Sequence, residues 1–354
     1  MGQASLITSN AFQEPSRARL KLFLDEKQLG ADKDIIALTP DASTREYFRI
    51  PWRNGTAIAA VYPEPFDPDV QPYLDVTRLF LAAELPVPEI YEVAAERGLI
   101  IQEDLGDQQL RLFFESASED DCEIYVERAI SLIASIQAAT QKAHEMRSIA
   151  SHLAFDEAKL SWELSFFMEH YFGSLRGENL SHGEAAELKA ELNDVAAELS
   201  ARPRVLCHRD YHSSNLLVDQ QGALRIVDHQ DARMGPASYD LVSLLMDRQP
   251  EPPSLAAVRA QRLFFLEERR RCGLDSLDPD EFAREFRLMT VQRGLKAIGT
   301  FSYQTAVCGR GETYEQFIRP TFQIVLQAAE WLARFPVLRR MIKERLEEEI
   351  KSTE

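Results

Sequence analysis

The chain has 354 residues, 45% hydrophobic and 27% charged, which is the composition of a globular protein long enough for two lobes with separate cores. With 40 basic against 57 acidic residues the net charge is −17, which excludes the basic surface expected of a nucleic-acid binder. The four cysteines, Cys122, Cys207, Cys272 and Cys308, form no C-x-x-C pair, which excludes a zinc-finger pattern and a disulfide framework and points to a reducing compartment. The start, MGQASLITSNAFQEP, has neither a basic segment nor an apolar core, and no apolar run approaches membrane-spanning length. The expectation is a cytoplasmic protein with no membrane contact.

The elements predicted in chain order begin with a helix capped by Ser16 and running to about Leu29, with Leu20, Phe23 and Leu24 on one face. An extended stretch from Ile35 to Leu38 follows, then a turn and strand over 42–50, and a strand over 56–62. Pro63, Pro65, Pro68 and Pro72 break the chain before a helix to about Ala83. Short strands are expected at 89–93 and 98–102. Asp104 to Asp107 is a candidate hinge. Helical periodicity then covers 121–141, 155–172, 183–201, 239–247, 254–271, 279–304 and 314–334, with a charged amphipathic helix over 337–351. The expected architecture is α+β and bilobal: a small β-rich lobe, 1–103, for nucleotide binding, and a large helical lobe, 104–354, carrying the catalytic loop.

One segment interrupts the helices, CHRDYHSSNLLVDQQGALRIVDHQDARMGPASYD from Cys207 to Asp240. His208-Arg209-Asp210 is followed five positions after Asp210 by Asn215, and thirteen after that by Asp228. Short apolar runs at 204–207, 216–218 and 224–227 read as strands, with a Gly-containing turn at 219–222. This is the H-R-D-x-x-x-x-N loop with a metal-binding Asp on the following strand that phosphoryl transfer uses. Asp210 is placed at the acceptor hydroxyl, and Asn215 and Asp228 supply oxygen ligands suited to Mg²⁺. A hairpin whose Asp and Asn residues only cap turns would leave both spacings unexplained.

Other residues complete the reading. No Lys lies between Lys33 and Lys142, so the small lobe lacks the lysine that protein kinases place on the phosphates. Arg45 and Arg49 are the local cations that can replace it, with Ser43 and backbone N–H groups in the same turn. Glu103 closes the last small-lobe strand, where backbone groups can meet adenine. Asp231, close in sequence to the metal-binding Asp, is expected near substrate. Asp240 can cap the following helix or, as a buried acid, hold the catalytic loop; His208 is likewise assigned a structural role. His212 and His229 read as hydrogen-bonded structural groups. Gln292, Arg293, Lys296 and Thr300 share one helical face, which reads either as a substrate-pocket wall or as a solvated surface. Trp162, Glu163, Phe166 and Phe167 form a mixed stripe read mainly as core.

These stretches together make the chain similar to the aminoglycoside phosphotransferase and choline kinase superfamily, small-molecule kinases of protein-kinase-like fold. Within it the chain most resembles the bacterial kinases that phosphorylate the anomeric hydroxyl of N-acetylmuramate and N-acetylglucosamine for cell-wall sugar recycling. The matching stretches are Asp41 to Arg49, Leu99 to Gly106, His208 to Asn215, Asp228 to Asp247 and Gln292 to Phe301. The resemblance implies Asp210 as catalytic base, Mg²⁺ on Asn215 and Asp228, ATP as donor, and a sugar held between the catalytic loop and the helices after Asp240. His229 stands where Phe is expected after the metal-binding Asp, and Ser214 where relatives can carry a basic residue. Other acceptors of the superfamily (aminoglycoside, choline, homoserine, methylthioribose) and a nucleotide-binding pseudokinase stand as the alternatives.

Overall fold

The computed structural model describes residues 15–29, 34–38, 45–178 and 180–353. The chain divides into two compact units, one of Met1–Phe113 with Leu216–Gln230, the other of Phe114–Asn215 with Asp231–Glu354. The longer elements in chain order are α1 (Ser16–Glu26), β1 (Ile36–Leu38), β2 (Glu46–Trp52), β3 (Gly55–Val61), α2 (Pro72–Ala82), β4 (Ile90–Ala94) and β5 (Leu99–Glu103). There follow α3 (Glu119–Ala138), α4 (Glu157–Phe167), α5 (His182–Ser200), β6 (Arg204–Cys207), β7 (Leu216–Val218), β8 (Leu224–Ile226) and β9 (Arg233–Pro236). Helices α6 (Tyr239–Met246), α7 (Leu255–Arg271), α8 (Pro279–Ala306), α9 (Ile318–Leu332) and α10 (Pro336–Thr353) complete the chain.

The first unit is an antiparallel sheet of order β1-β2-β3-β5-β4. Strand alternation sends Ala57, Ala59, Val61, Leu99 and Ile101 to a core with Leu20, Phe23 and Leu24 of α1. Ala60 and Ile100 point the other way, onto Tyr73 and Leu74 of α2. Ser16 does not cap α1; that position is Pro15, and Ser16 Oγ donates instead to Glu46 Oε1 at 2.5 Å. The β7–β8 hairpin, expected with the helical lobe, groups with this sheet. Val218 N donates to Gln108 O and Ile226 N to Pro86 O, both at 2.8 Å, and the strands' own ladder runs Leu216↔Ile226 to Val218↔Leu224. The hairpin turn is held by Asp219 Oδ1, which accepts from Gln221 N and Ala223 N, with Gly222 at φ +74°.

The second unit is helical around α8, which packs on α4, α6 and α9. Gly299 makes the α4 contact possible: a Cβ there would lie 2.7 Å from Phe167 Cα and 2.9 Å from Phe167 N. Directly after Phe167 the helix widens into a π-helical stretch, Met168–Arg176, where periodicity predicted only α-helix. Strand β9 was not predicted; it pairs with β6 from Arg204↔Pro236 to Cys207↔Arg233. Among the described residues no helix is long and apolar enough to cross a membrane.

Candidate active site

In the second unit β6 ends at Cys207 and delivers the loop His208–Asn215. Arg209 takes φ +87°, a left-handed conformation that costs a β-carbon-bearing residue strain. Its peptide is clamped on both sides. Asp240, fully buried, accepts from His208 N (2.7 Å) and Arg209 N (3.0 Å). Arg293 Nη1 donates to Arg209 O at 2.9 Å and Nη2 to Ser243 Oγ at 2.8 Å, with Asp247 at 3.7 Å. Of the two readings of Asp240, the buried acid holding the loop is the one observed; the residue preceding α6 is Ser238, with no side-chain cap. Tyr211, fully buried, donates to Ala129 O at 2.9 Å, and Asn215 Nδ2 donates to Asp210 O at 2.9 Å. The latter bond ties the Asn215 side chain back to the loop at Asp210.

Asp210 is thereby held by its backbone, leaving its carboxylate to its neighbours. Lys296 Nζ lies 3.5 Å from Oδ1 and Arg209 Nη1 3.4 Å from Oδ2. Burial alone would push this carboxyl up, but Lys296, Arg209, Arg293 and His212 together outweigh it and hold Asp210 well below the usual carboxylate range. Asp231 binds Arg209 Nη1 at 2.7 Å and lies 3.6 Å from Arg233 Nη2. The polar stripe of α8 is split. Lys296 reaches Asp210, whereas Gln292 and Arg293, expected to line substrate, are buried. Gln292 Nε2 donates to Glu163 Oε2 at 2.8 Å, and Arg293 supports the loop from behind. Glu163 was passed over as core; a carboxylate inside an otherwise aromatic stripe was its only signal in the sequence.

In the first unit Arg45 and Asp228 come together, Nη2 to Oδ1 at 3.7 Å. The Arg45 guanidinium lies 5.6, 5.6 and 6.0 Å from the rings of Tyr47, Tyr62 and Tyr73. Burial raises the phenols of Tyr47, to about 12, and Tyr62, so this cage stays neutral around one cation. Asp228 has φ +63° and accepts from Gln230 Nε2 at 2.8 Å. His229, in the place expected for Phe, is buried against Tyr73 and Phe80, ring centroids 4.9 and 5.4 Å away. Its Nε2 meets Thr77 Oγ1 at 2.7 Å; since that hydroxyl donates to Tyr73 O, the histidine is the donor. The imidazole thus supplies the packing of Phe and adds a hydrogen bond to α2.

Two other candidates are engaged elsewhere. Arg49 binds Asp104 (2.7 and 3.0 Å) and Asp107 (2.7 Å twice), and Thr56 Oγ1 also donates to Asp104. Glu103 accepts from Arg225 Nη2 at 2.6 Å and Glu89 N at 3.2 Å, tying β5 to the hairpin. Ser43 lies outside the described residues. Among the described residues no three His, Cys, Asp or Glu side chains form a metal cluster. Asp228 carries a carboxylate and Asn215 an amide, both hard oxygen donors of the type that suits Mg²⁺.

The chain is similar to known phosphotransferases. A family model described as "Phosphotransferase enzyme family" matches residues 34–274. The N-acetylmuramate/N-acetylglucosamine kinase of Neisseria meningitidis is 28% identical over 80% of this chain and 82% of its own, and that of Pseudomonas aeruginosa 30% identical over 76% of both. Among solved structures, choline kinase from Streptococcus pneumoniae superposes with a TM-score of 0.55 at 11% identity, over 87% of this chain and 96% of its own. The fold is therefore the bilobal α+β fold of protein-kinase-like enzymes, and the chain belongs to the phosphotransferase enzyme family.

Proposed function

We propose that this chain is an ATP- and Mg²⁺-dependent kinase that phosphorylates the anomeric hydroxyl of N-acetylmuramate and N-acetylglucosamine in the cytoplasm, as a step in cell-wall sugar recycling. The observation that carries the reading is Asp210 on a clamped loop with Lys296 and Arg209 beside its carboxylate, in a chain that aligns over three quarters of its length with relatives bearing that name. In this reading the first unit binds nucleotide and the second supplies the acceptor and the base. The sugar 1-hydroxyl attacks the γ-phosphorus, the bond to the bridging oxygen breaks, ADP leaves, and Asp210 takes the hydroxyl proton. Mg²⁺, when bound, neutralises charge on the phosphate oxygens, and the sequence spacing assigns Asn215 and Asp228 as its protein ligands. Arg45 takes the phosphate role of the missing lysine, in preference to Arg49, whose guanidinium is already shared by two carboxylates. Lys296 and Asp231 face the acceptor. The cations around Asp210 favour a neutral or anionic acceptor over choline or an aminoglycoside.

The test is ADP release with Mg²⁺–ATP against N-acetylmuramate, N-acetylglucosamine, kanamycin, choline and homoserine, with product position read by ³¹P NMR. An acid-labile sugar 1-phosphate is expected, and D210N should lose about a hundredfold or more in kcat while remaining folded. Turnover of only a different acceptor discards the cell-wall assignment, and full turnover by D210N removes Asp210 from the mechanism.

A further inference from the structure

Several cations of the second unit gather near Asp210, and nearly all are committed. Arg209 and Arg233 bind Asp231, Lys296 reaches Asp210, and Arg293 is spent on Arg209 O, Ser243 and Asp247. Lys159 is different. Its Nζ makes no hydrogen bond among the described residues; it stands 3.9 Å from Glu163 Oε1 and 4.1 Å above the Trp162 ring. Glu163 is buried, and its Oε1 has no hydrogen-bond partner. A buried carboxylate thus holds the ammonium by charge alone, leaving its three donors uncommitted. Trp162 itself is 57% exposed, an apolar ring face presented beside a cation.

A chain of contacts links this lysine to Asp210. Glu163 binds Gln292, and Gln292 is one helical turn before Lys296, which contacts Asp210. The close approach of α4 and α8 at Gly299 fixes that spacing. Burial lowers the Lys159 pKa, and Arg209, Arg233 and Lys296 lower it further against the pull of Glu163; all three are near enough to repel it. A cation with free donors, crowded by like charges, is stabilised by an incoming anion.

We propose that Lys159 is a specificity-determining residue, the group that recognises a carboxylate carried by the acceptor sugar, with the Trp162 ring against the apolar part of that substituent. The assignment rests on the kinase reading above and deepens it. N-acetylmuramate carries such a carboxylate on its lactyl ether; N-acetylglucosamine has none. The experiment compares kcat/KM for the two sugars in wild type, K159M and K159R. The preference for N-acetylmuramate should fall by about tenfold or more in K159M, through its KM, and return in K159R. On the wild-type enzyme, the carboxamide of N-acetylmuramate reads the same interaction without any substitution, and should lose about tenfold against the acid. An unchanged ratio in K159M, or a carboxamide used as well as the acid, overturns the assignment while leaving the kinase intact. Wild-type turnover of N-acetylglucosamine alone does the same. Turnover of neither sugar overturns the functional reading and the assignment with it.

Discussion

Asp240 is the residue on which the geometry of the catalytic loop depends most. Asp240→Ala leaves the N–H groups of His208 and Arg209 without their acceptor, in a place where Asp240 and His208 are both fully buried. Each stripped N–H costs about 1–3 kcal/mol, so the pair costs about 2–6 kcal/mol. That is a large part of the roughly 5–15 kcal/mol of a typical domain. The strain at Arg209, of order 1–3 kcal/mol, is then opposed from the carbonyl side only, by Arg293. The loop relaxes and carries Asp210 with it, so kcat falls along with stability. Asp240→Asn keeps one acceptor oxygen and sets its NH₂ against the other N–H, and should fall between wild type and the alanine variant. Urea unfolding reads the first effect as a shift in midpoint at constant slope, and steady-state kinetics the second. An alanine variant within about 0.5 kcal/mol of wild type and with unchanged kcat would refute the clamp.

Three further outcomes follow from the same contacts. Asp210 lies below its ordinary value in the folded protein, so its contribution to stability is present above the unfolded value and is lost only as pH falls through the folded one. In K296M burial is less opposed and the carboxyl rises, so an acid limb that lies below the working range in wild type should move toward it in the pH profile of kcat/KM, and stability should fall off earlier on acidification; superimposable pH profiles would remove Lys296 from the tuning of Asp210. R45A should raise the KM for nucleotide about tenfold or more, whereas R49A should lower the unfolding free energy by about 1–2 kcal/mol with nucleotide KM unchanged. The reverse pattern would return the phosphate role to Arg49. G299A drives a methyl into the Phe167 backbone, which cannot yield as a side chain can. The overpacking, about 1–3 kcal/mol, should outweigh the gain of up to about 1 kcal/mol in helix propensity. A stabilised G299A would show that α4 and α8 can separate freely.

The sheet of the first unit was readable because its strands are short runs set off by turns, and proline punctuates the chain before α2. Strand β9 was not. Arg233-Met234-Gly235-Pro236 has no alternation and contains both residues that mark loops; it is a strand only because β6, distant in sequence, pairs with it from Arg204↔Pro236 to Cys207↔Arg233. The place of the β7–β8 hairpin was hidden for the same reason. Its spacing fixes the order of Asn215 and Asp228, but the bonds to Gln108 and Pro86 are long-range and leave no local trace. The π-helical stretch after Phe167 keeps apolar residues at near-helical intervals, and spacing alone does not separate the two helix types.

At the site, motif spacing named Asp210, Asn215 and Asp228, and could not name what holds them. Asp240 acts across 31 and 32 positions and Arg293 across 84. The stripe Gln292, Arg293, Lys296 looked like one face with one environment, either wet or substrate-lining. The stripe is split: Lys296 reaches Asp210, while Gln292 and Arg293 are buried, because α8 is covered on several sides and a polar residue on a central helix is compatible with burial when it finds a partner. Net charge misleads in the same way. A net charge of −17 is compatible with cationic substrates and equally with plain solubility, whereas the charges that act on Asp210 are those within a Debye length of it. There Lys296, Arg209 and Arg293 stand. The field at Asp210 is set by the few charged residues the fold converges there, and the net charge of the chain does not report it.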